Sequence, residues 1–223
     1  MRARRWLLAL RLLLCGGIAA AFVIGVARCA TLDRSAEYRG NRVIWQGRVY
    51  APADAAWFAE GETIAKTADG KWRLNAVAGD ETHRLIVLRS FLDQYLFVDE
   101  TYAIPESGAV TAVFVGGSQT RVESEAFCRA AEAALFQRGE ETFTVVTDNL
   151  YALAEPVAFC YEGCAAAPRL NGFIGVVNGC WAATDFTCTG AYAGDGTRRE
   201  YEATFWRLDE SLIPAFEQSP YFR

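Results

Sequence analysis

Apolar and polar residues alternate through most of the chain after residue 42, which predicts a protein built mainly of β-strands. Val43, Trp45 and Val49 share one face of a strand over residues 43–50. In residues 71–77, Trp72, Leu74 and Ala76 alternate with polar positions in the same way. Further strands are predicted over 63–67, 84–88, 95–98, 110–115, 118–122, 142–147, 157–161, 172–183 and 201–206.

Turn residues connect several of these strands into hairpins. Gly70, in an Ala-Asp-Gly loop, supplies the left-handed residue that a three-residue hairpin loop needs. Asn178-Gly179 is the preferred pair for a type I′ turn, because both residues tolerate positive φ. Gly116-Gly117 separates two further β-prone runs. The sequence therefore predicts successive hairpins, with residues 184–200 forming a long loop or the wide end of a hairpin.

One segment has helical rather than strand periodicity. Residues 124–138 begin at an N-cap candidate, Ser124, and end just before Gly139, and their apolar side chains fall on one side. A shorter helical turn is predicted over residues 209–216. The predicted fold class is α+β, a mainly antiparallel β meander of hairpins with one packed α-helix, preceded by an N-terminal transmembrane helix.

The first 28 residues differ in character from the rest. Trp6 to Ala27 is apolar except for Arg11, about the length that crosses a bilayer as a helix. Five arginines and no acid occur over residues 1–28, so the N-terminus is expected to stay cytoplasmic and the remaining chain to lie outside. We expect a signal or transmembrane anchor over 1–28, a juxtamembrane linker over 29–41 and a single extracytoplasmic domain over 42–223.

Three fates of this segment remain open: an uncleaved single-pass anchor in the cell membrane, a cleaved secretory signal, and a lipoprotein signal that leads to lipidation of Cys29. Arg28 departs from the lipoprotein pattern, which places a small residue before the cysteine. After residue 28 the chain has 17 basic and 27 acidic residues, a net charge of −10. Such an acidic domain argues against a nucleic-acid partner, because phosphates require basic neutralisation.

Few residues of the expected outer domain are suited to catalysis. His83 is its only histidine, and it follows Asp80 and Glu81 in a polar turn. A loose metal site is one interpretation of these three residues, but their spacing is typical of a solvated turn. We therefore predict no catalytic residue, no metal and no cofactor.

Cysteines are better explained by disulfide formation, which an extracytoplasmic compartment permits. Four cysteines allow three pairings, and the shortest loops join Cys160 to Cys164 and Cys180 to Cys188. A zinc site built from the same four thiolates fits the usual ligand spacing less well. Cys128 lies on the apolar face of the predicted helix and is expected to be a buried free thiol.

The pair Trp57-Phe58 lies in a loop-like stretch and is the aromatic pair that strand periodicity explains least. We interpret it as a candidate partner-facing site. Other tryptophans fall in predicted strands and are expected to lie in the core.

Several passages resemble small lipoproteins or membrane-anchored envelope proteins of Gram-positive bacteria. They are residues 45–50, 91–98, 104–108, 160–164 and 171–179, rich in tyrosine, glycine and turn residues. The resemblance implies an envelope location and brings no catalytic residue. The sequence thus favours a membrane-tethered, non-catalytic module that binds a protein or an envelope component. The alternatives are an extracytoplasmic hydrolase that uses carboxylates, and an inhibitor or immunity-type protein with one protein partner.

Overall fold

The structure, a computed structural model, describes residues 32–53, 57–185, 189–192 and 199–222. Strands account for 48% of the residues in the structure and helices for 12%, which confirms the prediction of a β-rich fold with few helices. The N-terminal 28 residues lie outside the described residues, so the anchor stays a prediction. In the described part of the chain no helix is both long and apolar enough to span a bilayer.

The first seven strands close into a barrel. They are β1 (Asp33–Arg39), β2 (Arg42–Trp45), β3 (Arg48–Pro52), β4 (Glu60–Thr67), β5 (Arg73–Val77), β6 (Leu85–Arg89) and β7 (Gln94–Asp99). Their order around the barrel is β1-β2-β3-β7-β6-β5-β4, and β4 returns to β1. Neighbours are antiparallel except at this closure, where β1 and β4 run parallel. The predicted meander is therefore corrected to a closed barrel in this part of the chain.

Alternation along the strands fills the barrel interior with apolar side chains. Val43, Tyr50, Leu74 and Phe97 are among the buried residues of this cluster. The strand predicted over 43–50 is in fact a hairpin, because Gln46 and Gly47 have φ of 49° and 75° and form a tight turn. Local strand propensity on both sides of this turn concealed it in the sequence.

The structure also corrects the predicted linker over residues 29–41. Residues 33–39 form β1, which pairs with both β2 and β4. Ala36 is fully buried, while the charged side chains beside it remain half-buried or exposed. In a strand with one face toward the core, only every second residue has to be apolar. The small and polar residues of β1 therefore resemble a linker in the sequence.

The rest of the chain forms a second sheet. Its strands are β8 (Val110–Val115), β9 (Thr120–Val122), β10 (Thr142–Thr147), β11 (Glu155–Tyr161), β12 (Gly172–Val177), β13 (Cys180–Asp185), β14 (Thr189–Tyr192) and β15 (Arg199–Arg207). The order is β10-β15-β13-β12-β11-β8-β9, with β14 paired to β15. Asn178 and Gly179 both have positive φ, which confirms the predicted turn between β12 and β13.

Helix α1 (Glu125–Phe136) packs on one face of this sheet, as predicted. The Ser124 hydroxyl accepts a hydrogen bond from the Phe127 N–H and caps the helix. Trp206 of β15 donates from Nε1 to the Ala134 carbonyl at 2.7 Å. A short 3₁₀ helix (Leu150–Ala152) and helix α2 (Ile213–Glu217) complete the described elements.

The barrel and the second sheet meet through apolar side chains. Val87 and Leu96, on the outer face of the barrel, cluster with Cys164 and Ala166 from the segment that links β11 to β12. Tyr102 donates from its hydroxyl to the Gly163 carbonyl at 2.8 Å beside this cluster. One part of the outer barrel face is thus covered by the rest of the chain.

Candidate binding surface

Strand directions give the barrel two distinct ends. The chain enters β1 at Asp33, next to Trp45 at the end of β2, and the Trp45 indole donates to the Asp33 carboxylate at 2.8 Å. The β2–β3 and β5–β6 turns lie at this same end, which we call the His83 end. The β1–β2, β4–β5 and β6–β7 turns lie at the opposite end.

The β6–β7 turn carries two large apolar side chains that contribute almost nothing to the core. Phe91 is 97% exposed and Leu92 is 86% exposed. The turn itself is well formed, because the Ser90 N–H donates to the Asp93 carbonyl at 2.9 Å and the Asp93 N–H donates to the Ser90 hydroxyl at 3.1 Å. We call Phe91 and Leu92 the apolar tip.

A run of aromatic rings connects this end of the barrel to the core. Tyr95, 49% exposed, lies 6.4 Å from the ring of Trp72, which lies 5.3 Å from the ring of Tyr38. Tyr38 in turn packs edge-on against buried Phe97, with ring centroids 6.1 Å apart. The apolar tip therefore stands on a barrel end supported by packed aromatic rings.

The His83 end brings together the residues that the sequence offered for catalysis or metal binding. His83 has φ of 51°, its carbonyl accepts the buried Tyr50 hydroxyl at 2.9 Å, and its ring lies 5.6 Å from that of Trp45. The Asp80 carboxylate accepts from the Thr82 N–H at 3.1 Å and the Leu85 N–H at 2.7 Å. These contacts shape the turn, and among the described residues no group of three or more His, Cys, Asp or Glu side chains is arranged to hold a metal ion.

A polar cleft of about 610 Å³ lies beside this end. Arg48 reaches to 3.7 Å from the Asp99 carboxylate, and the Arg84 guanidinium sits 5.0 Å from the centre of the Tyr102 ring. The Thr101 backbone N–H is the main cause that lowers the pKa of Asp99, and burial raises the pKa of Tyr102. The Asp99 carboxylate of this cleft therefore accepts a hydrogen bond from Thr101, lies within ion-pair distance of Arg48 and stays ionised at neutral pH.

The described cysteines are free thiols, so the Cys160–Cys164 pairing, one of those that the sequence left open, is not formed in this structure. Cys160 belongs to β11 and packs with Phe114 and Ala167, whereas Cys164 packs against the barrel. Burial raises the pKa of Cys160 to about 12. Cys180 is also free, and its thiol donates to the Val177 carbonyl at 3.2 Å. Cys188 and the candidate lipidation site Cys29 lie outside the described residues.

Trp57 and Phe58 occupy the junction between the barrel and the second sheet. Trp57 forms an isolated β-bridge with Ala167, with both N–H to carbonyl distances at 2.8 Å. The Trp57 side chain packs against the Cys160 cluster and Phe58 against the cluster that joins the barrel to the second sheet. Both side chains are half-buried, and this packing accounts for a pair that strand periodicity left unexplained. Their contact with a partner stays a prediction.

The apolar tip is not among the candidate sites predicted from the sequence, although Phe91 and Leu92 belong to residues 91–98, one of the passages that resemble envelope proteins. Two large apolar residues in a tight turn between strands are the signal that could have found it, because the tip of a hairpin is usually polar. Fold and surface together define a β-rich protein whose closed barrel presents an apolar tip at one end. Comparison with known proteins finds no family model, no curated protein and no solved structure that matches the chain.

Proposed function

We propose that this protein is a membrane-tethered, non-catalytic binding module that contacts a protein partner through the apolar tip. The observation that carries the proposal is the near-complete exposure of Phe91 and Leu92 on a turn closed by hydrogen bonds. Leaving two such side chains in water has no benefit for the fold, whereas burying each one in a partner would contribute about 1.5–3 kcal/mol. Phenylalanine is among the residues enriched at protein interfaces relative to the rest of the surface.

The direction of the barrel supports a protein partner rather than the tethering bilayer. The chain enters at the His83 end, and the seven residues of β1 run from there toward the opposite end, a distance of about 23 Å at 3.3 Å per residue. With the apolar segment over residues 6–27 as the anchor, the His83 end is the one close to the membrane. The apolar tip then faces away from the bilayer and toward other envelope components.

The contacts at the His83 end give the alternative of a carboxylate-dependent hydrolase less support. A general acid or base needs a carboxyl group that is free to exchange a proton with substrate. The carboxylates of Asp80 and Asp99 instead accept hydrogen bonds from nearby backbone N–H groups. Both therefore act in these contacts as structural acceptors.

Site-specific photo-crosslinking in membranes of the producing cells tests the proposal. A photoreactive phenylalanine analogue at position 91 of the full chain should give one protein adduct of discrete mass, and Leu92→Asp should abolish it. The matched control is the same analogue at Val146, which is 62% exposed on β10. Equal adducts from both positions, or adducts to lipid alone at position 91, would rule out the proposed partner surface.

The tether is tested separately by fractionation and protease treatment of intact cells stripped of their outer layers. The full chain should sediment with membranes and be digested from outside. Recovery of the full-length protein from the soluble cell interior would contradict the tether.

A further inference from the structure

A basic groove lies beside the apolar tip on the outer face of the barrel. Its volume is about 730 Å³, and its lining includes Lys71, Arg73 and Arg89 together with Phe91 of the tip. Glu60 is the only acidic residue in this lining. A groove with this excess of positive charge stands out on a chain whose formal net charge is −5.

Strand register places like charges directly opposite one another here. Lys66 of β4 pairs with Arg73 of β5, and Arg73 pairs with Arg89 of β6. Side chains at directly opposite positions share one face, and like charges in such pairs oppose folding. The fold therefore maintains a row of three cations across three neighbouring strands, an arrangement that an anionic ligand would stabilise.

Only part of this charge is neutralised within the protein. Arg89 pairs with Glu60, and Lys71 lies 3.8 Å from the Asp69 carboxylate. Within the described residues Arg73 has no carboxylate within 4 Å, although it stands at the centre of the row. Among the cations that line the groove, Arg73 is thus the one without an ion pair in the described part of the protein.

Asn75 provides a second, independent indication of a ligand. Its side chain lines the groove and is only 6% exposed, and its Nδ2 donates to the Glu60 carboxylate. Its Oδ1 is buried and meets no donor among the described residues. A buried acceptor without a donor is costly, and a ligand N–H group would satisfy it.

We infer that this groove binds an acidic segment of the protein partner, whose carboxylates pair with Arg73 and its neighbours and whose backbone N–H groups reach Asn75. The inference rests on the proposed function, because it assigns the chemistry of the partner that the apolar tip contacts. Arginine is suited to this role, since its planar guanidinium forms two parallel hydrogen bonds with a carboxylate. A peptide segment also supplies both required groups, a carboxylate and an N–H donor.

The test measures binding of a fluorescein-labelled decaglutamate peptide to the detergent-solubilised full chain by fluorescence anisotropy at 50 mM salt. Arg73→Glu should weaken binding on the order of tenfold or more, because it reverses the central charge. The matched control is Arg129→Glu on helix α1, which changes the net charge equally at an exposed arginine paired with Glu125 at 3.4 Å. This control should change the dissociation constant by less than about twofold.

Loss of binding through unfolding is excluded by a second measurement on the same variants. Arg73→Glu places an acid opposite Lys66 and Arg89, so its denaturation midpoint should be equal to or above that of the parent chain. No decaglutamate binding by the parent chain, or equal binding by the two variants, overturns the inference. Binding of inorganic polyphosphate without binding of decaglutamate also overturns it.

Failure of this inference can be separated from failure of the proposed function. If position 91 gives a discrete protein adduct whose yield is unchanged by Arg73→Glu, the tip binds a partner and the groove does not take part. If position 91 gives no protein adduct while decaglutamate binding depends on Arg73, the groove binds acidic chains and the proposed partner surface at the tip is refuted. A lower adduct yield with Arg73→Glu and an unchanged yield with Arg129→Glu supports both.

Discussion

Phe91 and Phe97 lie six residues apart on the same hairpin, but only truncation of Phe97 should lower the stability of the fold. Phe91 is 97% exposed and Phe97 is 1% exposed. A phenylalanine that is fully buried removes roughly 200 Å² from water, so the 3% of Phe91 that is covered corresponds to about 6 Å². At about 25 cal/mol per Å², Phe91→Ala should lower the free energy of unfolding by only about 0.15 kcal/mol.

Phe97→Ala removes a ring from the barrel interior, where Tyr38 packs edge-on against it. Truncation of a buried phenylalanine costs about 3–5 kcal/mol, because the lost transfer free energy and the cavity add together. Guanidinium denaturation of the full chain in detergent, followed by tryptophan fluorescence, measures both variants under one condition. We expect the midpoint to be unchanged for Phe91→Ala and to fall sharply for Phe97→Ala.

This comparison separates a side chain kept for the fold from one that is available to a partner. A decrease of more than about 1 kcal/mol for Phe91→Ala would mean that the tip packs within the protein, and the argument for a binding surface would fail. With stability unchanged, any loss of partner contact by Phe91→Ala can be assigned to the tip itself.

The buried Cys160 thiol, the crowded Gly172 and the hydrogen-bonded Asp99 carboxylate provide three further tests. The Cys160 thiol, whose pKa burial raises to about 12, should resist iodoacetamide at pH 8 until the chain is unfolded, as read by mass spectrometry; rapid native labelling would contradict its position. A Cβ added by Gly172→Ala would clash with the Thr184 carbonyl of β13 and lie 2.6 Å from a methyl group of Leu135 in α1. This substitution should therefore lower the free energy of unfolding by about 1–3 kcal/mol in denaturation experiments. Gly117→Ala is the control and should be nearly neutral, because no atom lies within 4 Å of the added Cβ. The Thr101 backbone N–H lowers the pKa of Asp99 from its ordinary value of 3.8, so this carboxylate should stabilise the fold fully above that value. The contribution should be lost as the pH falls from there through the lowered pKa of the folded state, and Asp99→Asn should flatten this acid limb of the stability profile.

Turns and the main helix could be predicted from the sequence because short-range geometry determines them. Gly70 and the Asn178-Gly179 pair have the positive φ that their turns require, and Ser124 caps its helix through a neighbouring N–H group. In each case the determining atoms lie within four residues of one another. Composition and spacing are therefore sufficient for such elements.

Long-range pairing could not be predicted in the same way. The parallel contact of β1 with β4 closes the barrel, and β10 pairs with β15 across more than fifty residues. The local sequence pattern of a strand does not indicate which other strand it pairs with, because alternation shows only which side chains face inward. The prediction that 29–41 is a linker was wrong for this reason, since β1 is recognisable as a strand only beside β4.

Surface sites were missed because exposure is a tertiary property. Trp57 and Phe91 are both aromatic residues outside the regular strands, and the local sequence pattern favours Trp57 as the partner-facing residue. The structure packs Trp57 against the Cys160 cluster and leaves Phe91 in solvent. Similar local patterns thus occur in a packed and in an exposed environment. Trp57 contacts the second part of the chain at Ala167, whereas Phe91 lies in solvent.

Barrel closure also separates Asp33, where the chain enters the barrel, from the apolar tip. Because β1 runs parallel to β4, the chain must enter at the end opposite the β4–β5 turn, and the antiparallel order of β5, β6 and β7 then places the β6–β7 tip at that far end. The cations of the basic groove lie near the same end, and Phe91 of the tip also lines this groove. A chain tethered at its N-terminus would therefore hold both features about one strand length farther from the bilayer than Asp33. In that position they would meet a partner before the rest of the barrel does.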